Sequence, residues 1–307
     1  MARREINIKD KSKNTKNQVS IEKLSVVILS YNTRKTTLEC LKNLYQHAPT
    51  LCQLEVIVVD NGSRDGSSDA IEEKFPQTKL ICNLENRGFA AACNQALNKS
   101  EGDFILLLNS DTQLIDQSID YALDYMVKNN DIGVVGGKMI GLDGETQPSC
   151  HRFPCYSNLF FSKSSFLTRS GLFKNKFSKF RKIPDKISDV DALSGGFLFL
   201  RKEMLNEIGF LDERFFFYIE DIDLCKRARD NNWRVVFMPE VRVRHVWGKS
   251  TGKCKSKAYW WHHQSIYRYF AKHHRKYWPL NLLLGLSLIL HYAFWSIGNL
   301  FKGDKKR

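Results

Sequence analysis

Short runs rich in Val, Ile and Leu recur through the first half of the chain, each followed by a segment with helical spacing. This alternation limits the fold more than any other feature. SVVILS (Ser25 to Ser30), LEVIVVD (Leu54 to Asp60), KLICN (Lys79 to Asn83) and DFILLLNSD (Asp103 to Asp111) read as strands. Most are apolar throughout, the pattern of parallel strands covered on both faces. Residues 34–47 bring Thr37, Cys40, Leu41 and Leu44 onto one helical face, and residues 68–75 and the stretch after Gly88 continue the alternation. The expectation is an α/β fold, doubly wound over residues 24–140. Ligands of such sheets sit outside the carboxyl ends of the strands.

The second half carries GVVGGKMI as a further strand, VDALSGGFLFLRKEM as a strand leading into a helix, a helix beginning near Glu220, and WRVVFMPEVRVRHV as one or two strands. It has no phosphate loop of its own, so it is expected to complete the first half. With 43% hydrophobic and 12% aromatic residues, the chain has enough apolar surface for a real core, which argues against general disorder. A net charge of +14 implies an anionic partner: nucleic acid, phospholipid headgroups or phosphorylated small molecules. The charge lies on appendages, in a flexible basic arm over 1–23, a basic stretch over 163–186, and the region from Lys249 onward. The ordered core is therefore not itself expected to be a nucleic-acid platform. None of the eight cysteines forms a CxxC pair, and residues 1–20 contain no apolar signal region. The expectation is free structural thiols in a reducing, cytosolic compartment.

Candidate chemistry clusters at strand ends. Asp60 and Asp111 end the second and fourth strands. Asp60 could accept hydrogen bonds from a base or ribose, and Asp111 could hold a divalent cation facing a diphosphate; the alternative is that both are turn residues capping helices. Glu220, Asp221 and Asp223 repel one another unless a helix N-terminus offsets the charge. With Asp223 serving as a cap or as a partner for Arg227, Asp221 would be left to face a cleft as a general base. His245 shares a strand face with Val241 and Val243, opposite Arg242 and Arg244, and is either a metal ligand or a structural histidine. Gly195-Gly196 permits close approach to a ligand or close strand packing, and Arg87-Gly88 could touch a phosphate or only punctuate a turn.

As an ordered set, SVVILSYNT, VIVVDNGSRDGS, ENRGFAAACNQAL, FILLLNSDT, SGGFLFLRKE and GFLDERFFFYIEDIDLCKRARDNNWRVVFMPEVRVRHVWGKST resemble glycosyltransferase family 2, in its rhamnosyltransferase-like branch of bacterial cell-surface polysaccharide synthesis. The resemblance covers residues 24–275. It implies a GT-A fold, with a Rossmann-like nucleotide-binding half and an acceptor half around one continuous, mostly parallel sheet over 24–255. It also implies an inverting transfer from a nucleoside-diphosphate sugar, with L-rhamnose from dTDP-rhamnose as the expected donor. Ser30, Tyr31, Asp60, Arg87, Asn94, Asn109, Ser110, Gly195 and Gly196 would surround the nucleotide sugar. Asp111 and His245 would hold Mg²⁺ or Mn²⁺, and Asp221 would be the catalytic base, with Glu220 and Asp223 supporting it. The family's DxD motif reads Asn109-Ser110-Asp111 here, so its first carboxylate is an amide and one negative charge is missing.

Residues 256–307 form a basic, aromatic tail in which segment 279–301 is long enough to meet a membrane as a spanning, re-entrant or interfacial helix, or to pack as a core helix. A membrane placement puts the enzyme on the cytoplasmic face of the cell membrane and suggests a polyprenyl-diphosphate-linked saccharide acceptor, with no nucleic acid as partner. The rivals are a transferase of galactofuranose, N-acetylglucosamine or another hexose, a nucleotidyltransferase, and a non-enzymatic basic protein binding membrane or nucleic acid.

Overall fold

The computed structural model describes residues 23–160, 183–246 and 255–303. Residues 1–22 of the expected arm and most of the basic stretch 163–186 lie outside the described residues, as does Cys254; Lys23, the arm's last expected residue, instead begins the first strand. Twelve strands are described: β1 (Lys23–Ser30), β2 (Gln53–Asp60), β3 (Lys79–Cys82), β4 (Phe104–Asn109), β5 (Thr112–Ile115), β6 (Ile132–Ile140), β7 (Thr146–Gln147), β8 (Cys150–His151), β9 (Ser188–Asp189), β10 (Ala192–Leu193), β11 (Phe197–Arg201) and β12 (Arg234–His245). The helices described are α1 (Arg34–Gln46), α2 (Ser67–Lys74), α3 (Phe89–Leu97), α4 (Ser118–Lys128), α5 (Tyr156–Phe160), α6 (Lys202–Ile208), α7 (Glu220–Asp230), α8 (Lys255–His273) and α9 (Trp278–Gly303).

The main sheet runs β3-β2-β1-β4-β11-β6-β12-β5, with β7 and β9 at its margins. β3, β2, β1 and β4 are mutually parallel, as are β6 and β12, while β11 and β5 run antiparallel to their neighbours. The second half therefore completes one continuous, mostly parallel sheet. The apolar runs of β1, β2 and β4 are buried on both faces, as their lack of polar alternation requires, while β3 at the sheet edge is half-buried to exposed. Val26 and Ile28 face α1 and α4 (Leu41, Leu44, Leu123), while Val27 faces the layer of α3, α6 and α7 (Cys93, Leu97, Leu205, Cys225).

One expectation is corrected here. The fourth strand stops at Asn109, so Asp111 does not end it; Asp111 lies in the turn to β5, a short edge strand that pairs with β12. α8 begins at the expected start of the tail, and its Ile266, Tyr269 and Phe270 belong to the same buried cluster as residues of α3 and α7.

Candidate active site

Strand register decides which side chains share a rim. In β1 and β2, Ser30 lies opposite Asp60; in β1 and β4, Leu29 lies opposite Asn109. The carboxyl ends of three parallel strands thus stop at one level. β11 runs the other way, so its start meets the same rim, and the Asn109 N–H donates to the Gly196 carbonyl at 3.2 Å. His245 lies opposite Thr112 between β12 and β5, and the Thr112 hydroxyl donates to the same Gly196 carbonyl at 3.2 Å.

At the β2 end, Asp60 is buried. Its Oδ1 accepts the Ser63 N–H at 2.8 Å, and its Oδ2 has no hydrogen-bond partner among the described residues. A buried carboxylate oxygen left open on a rim is ready for a donor group on a ligand. Ser30 and Ser110 are joined through Thr33, whose hydroxyl lies 3.3 and 3.2 Å from theirs. Tyr31 follows Ser30 at the strand's exit and is half-buried. Arg87 presents an exposed side chain, while its N–H donates to Asn61 Oδ1 at 3.0 Å. Next to it, Gly88 has φ +86°, and a Cβ there would lie 2.8 Å from the Phe216 ring, so only glycine fits.

Asn94 faces inward. Its amide donates to the Leu211 carbonyl at 2.8 Å and to Glu213 at 3.0 Å, and its oxygen accepts the Leu211 N–H at 3.1 Å. Both its side-chain polar atoms serve the 211–213 loop, so the geometry makes it a brace of that loop.

His245 Nε2 lies 3.4 Å from Asp111 Oδ1. Gln147 holds the ring from behind: Oε1 is 3.0 Å from His245 Nδ1, and Nε2 donates to the His245 carbonyl at 3.1 Å. An imidazole that gives its Nδ1 proton to Gln147 turns the Nε2 lone pair toward Asp111. One carboxylate oxygen and one imidazole nitrogen, with the tautomer fixed, suit Mg²⁺ or Mn²⁺. Among the described residues no group of three or more His, Cys, Asp or Glu side chains is placed to hold a metal, so any ion would take its other ligands from donor oxygens and water.

The Asp221 carboxylate accepts the Gly195 N–H at 2.8 Å and the Ile222 N–H at 2.8 Å. A Cβ on Gly196 would sit 3.6 Å from His245 Nε2, and one on Gly195 would sit 3.4 Å from Asp221 Oδ2. A single glycine pair therefore separates Asp221 from the His245–Asp111 pair. Burial raises the Asp221 carboxyl above the usual range, and His151 and the two N–H groups only moderate the rise. Glu220 is pushed well above its ordinary value by burial and by Asp221's charge, and its Oε2 has no hydrogen-bond partner among the described residues.

Asp223 is not a cap. No side chain caps α7; Asp223 pairs with Arg227 at 2.9 Å, as its spacing suggested, and also with Lys272 and His273, both at 2.7 Å. Sequence reasoning gave no role to Asn61, which lies inside VIVVDNGSRDGS, or to Gln147 and His151, which fall in none of the quoted motifs. Each matters through partners that only the folded chain supplies. A cavity of about 580 Å³ beside the β1–α1 turn, lined by Asn32, Thr33, Arg34 and Asp65, contains none of the candidate acids.

Residues 25–209 match the sequence profile of Glycosyl transferase family 2. The chain belongs to this family. It is 29% identical over 252 residues to the N-acetylglucosaminyl-diphospho-decaprenol L-rhamnosyltransferase of Mycobacterium tuberculosis, covering 77% of this chain and 81% of that protein. It is 31% identical over 124 residues to a rhamnosyltransferase of Escherichia coli K12, covering 40% of this chain and 44% of that one. In fold it is similar to a mannosyltransferase from Pyrobaculum calidifontis solved with GDP-Man and Mn²⁺, with a TM-score of 0.56 at 18% identity over 92% of this chain and 79% of that one. The glycosyltransferase family 2 chain thus has the GT-A fold and is rhamnosyltransferase-like.

Proposed function

We propose that this glycosyltransferase moves L-rhamnose from a dTDP-activated donor, with inversion, to a hydroxyl of a polyprenyl-diphosphate-linked saccharide at the cytoplasmic face of the cell membrane. The observation that carries the chemistry is the placement of Asp221 on the Gly195 N–H, one glycine pair away from His245 and Asp111. The sugar and the lipid carrier rest on the two rhamnosyltransferase relatives, one of them named for a decaprenol-linked acceptor.

Asp60, with its open oxygen, and Ser30 face the nucleoside. Arg87 reaches the donor phosphates, and Gly195 and Gly196 let the sugar lie against the backbone. Asp221 removes the proton of the acceptor hydroxyl, whose oxygen bonds to the anomeric carbon as the bond to the diphosphate breaks on the opposite face. One displacement inverts the centre. The raised Asp221 carboxyl makes it a stronger base than a surface aspartate. Asp111 and His245 would hold a Mg²⁺ or Mn²⁺ ion, which neutralises charge on the leaving diphosphate.

Among the described residues one helix, Arg275–Asn299, is long and apolar enough to cross a membrane, with a mean hydropathy of 1.6. Asn281 and Leu284 on its inner side are buried against the protein, and Trp295 packs on Tyr259 at 4.4 Å, while Leu283, Leu286, Leu290 and Phe294 stand exposed. A helix held along its length by α8, with its outer side apolar, favours lying in the interface over spanning.

Asp221→Asn is expected to lower transfer by roughly 10²- to 10⁴-fold while donor affinity is retained. Isothermal titration with the nucleotide sugar beside a transfer assay measures both, and near-normal turnover by the variant would refute the assignment. A thermal-shift panel of nucleoside-diphosphate sugars, with and without Mn²⁺, reads base, sugar and metal preference together.

A further inference from the structure

Two independent sets of contacts, one on each side of Asp221, end on helix α8. On the N-terminal side, Tyr218 and Ile219 both adopt left-handed backbones, with φ +68° and +74°. Neither is glycine and one is β-branched, so the conformation persists only where the surroundings fix it. Those surroundings include α8. The fully buried Ser265 donates its hydroxyl hydrogen to the Phe217 carbonyl at 2.9 Å, the Trp261 ring lies 4.4 Å from Phe216, and the His262 ring lies 5.4 Å from Tyr218. The Phe216 carbonyl in turn accepts the Phe89 N–H at 2.8 Å, which joins this loop to the Arg87-Gly88 turn.

On the C-terminal side, Asp223 is wholly buried two residues after Asp221. Arg227, on its own helix, would already give it a partner, yet Lys272 and His273 of α8 converge on it at 2.7 Å each, and Lys272 also reaches Asp212 at 2.8 Å. The added cations tie one element to another. α8 is itself immobilised by Tyr269 and Phe270, both fully buried in the core.

We propose that α8 is a positioning element of the transfer reaction, and that Ser265, Lys272 and Asp223 are positioning residues that hold the start of α7 so that the Asp221 carboxylate stays on the Gly195 N–H. This rests on the reading of Asp221 as the base. None of the three needs to touch substrate. A small displacement of a base costs turnover far more than it costs donor binding.

The test uses the full-length chain with Ser265→Ala, Lys272→Met and Asp223→Asn, alongside Asp221→Asn. kcat and KM for transfer, donor affinity and the unfolding midpoint are measured well below that midpoint. The expected result is a kcat reduced between about tenfold and a hundredfold with donor KM and affinity unchanged, and recovery of kcat in Ser265→Thr and Lys272→Arg. Should Asp223→Asn fail to fold, Ser265→Ala and Lys272→Met carry the test. Folded variants with a lowered midpoint but wild-type kcat would mean that α8 is only structural, and would overturn the proposal while an inactive Asp221→Asn left the base in place. A transfer-competent Asp221→Asn would overturn the base and the positioning role together.

Discussion

Three carboxylates in four residues meet three different fates. Asp221 is held by N–H groups at the rim, Asp223 is neutralised by cations, and Glu220 is buried with one oxygen lacking a hydrogen-bond partner among the described residues. The mutual repulsion and the helix start were legible in the sequence. The sorting was not, because Lys272 and His273 stand some fifty residues away and nothing local marks them as partners. For Asp223, burial alone would raise the carboxyl, but His273, Arg227 and Lys272 outweigh it and hold the group below the usual range. Its contribution to stability is therefore present above about pH 4, the unfolded value, and is lost only as pH falls through the lower folded value. Glu220 behaves oppositely: a carboxyl raised in the folded state contributes fully below about pH 4.3, and that contribution fades as pH rises through its folded value, at up to about 1.4 kcal/mol per pH unit. Glu220→Gln cannot ionise, so its unfolding midpoint is expected to gain on the wild type as pH rises from about 4.3 until Glu220 ionises in the folded protein. Thermal unfolding across that range checks it, and a gap that stays constant with pH would show that the charge of Glu220 is irrelevant to stability.

At the scale of elements, the parallel strands announced themselves because burial on both faces leaves a run with no polar alternation. Asn109 and Ser110 were legible as strand-end residues for the same reason, because strand ends in such a sheet coincide, whereas Gly196 was singled out beside the sugar only through the family resemblance. What was not legible was β5, a four-residue edge strand whose existence depends on pairing with β12, and the two-residue strand β7 that brings Gln147 behind His245. Short strands have no periodicity to read. Gln147 has a consequence that can be measured. Because its Oε1 holds the His245 ring at Nδ1 while its Nε2 anchors on the His245 backbone carbonyl, Gln147→Leu frees the imidazole to change tautomer and orientation. Mn²⁺ affinity in the presence of nucleoside diphosphate is expected to fall about 10- to 100-fold, as for other groups that orient a ligand from behind. Calorimetry or Mn²⁺ electron paramagnetic resonance reads this without turnover, and an unchanged affinity would detach His245 from the ion.

For the whole molecule, the sequence read residues 256–307 as one basic, aromatic tail, yet its two helices have different neighbours. α8 is part of the core, whereas α9 touches the protein along one side and leaves a row of large apolar side chains outside. Composition could not separate them, since both are rich in aromatic residues; the difference lies in which residues meet α7 and the core. The inner side of α9 carries polar contacts beside the buried Leu284: Asn281 receives the Tyr156 hydroxyl at 2.7 Å, and His291 lies 3.1 Å from His263. A spanning helix would have to strip these contacts away, whereas an interfacial one keeps them and buries only its outer row. Replacing Leu283, Leu286 and Leu290 together by Glu removes three side chains that are each about 60% exposed. Burying those surfaces in lipid is worth about 3 kcal/mol together, more than a hundredfold in partitioning. The triple variant is therefore expected to stop co-sedimenting with anionic vesicles while keeping its unfolding midpoint and its affinity for nucleotide sugar, because none of the three supports the core. The wild type is expected to leave the membrane in alkaline wash, which releases interfacial helices. Retention of the wild type through that wash would instead require α9 to separate from α8 and cross the bilayer, breaking the Asn281 and His291 contacts on the way.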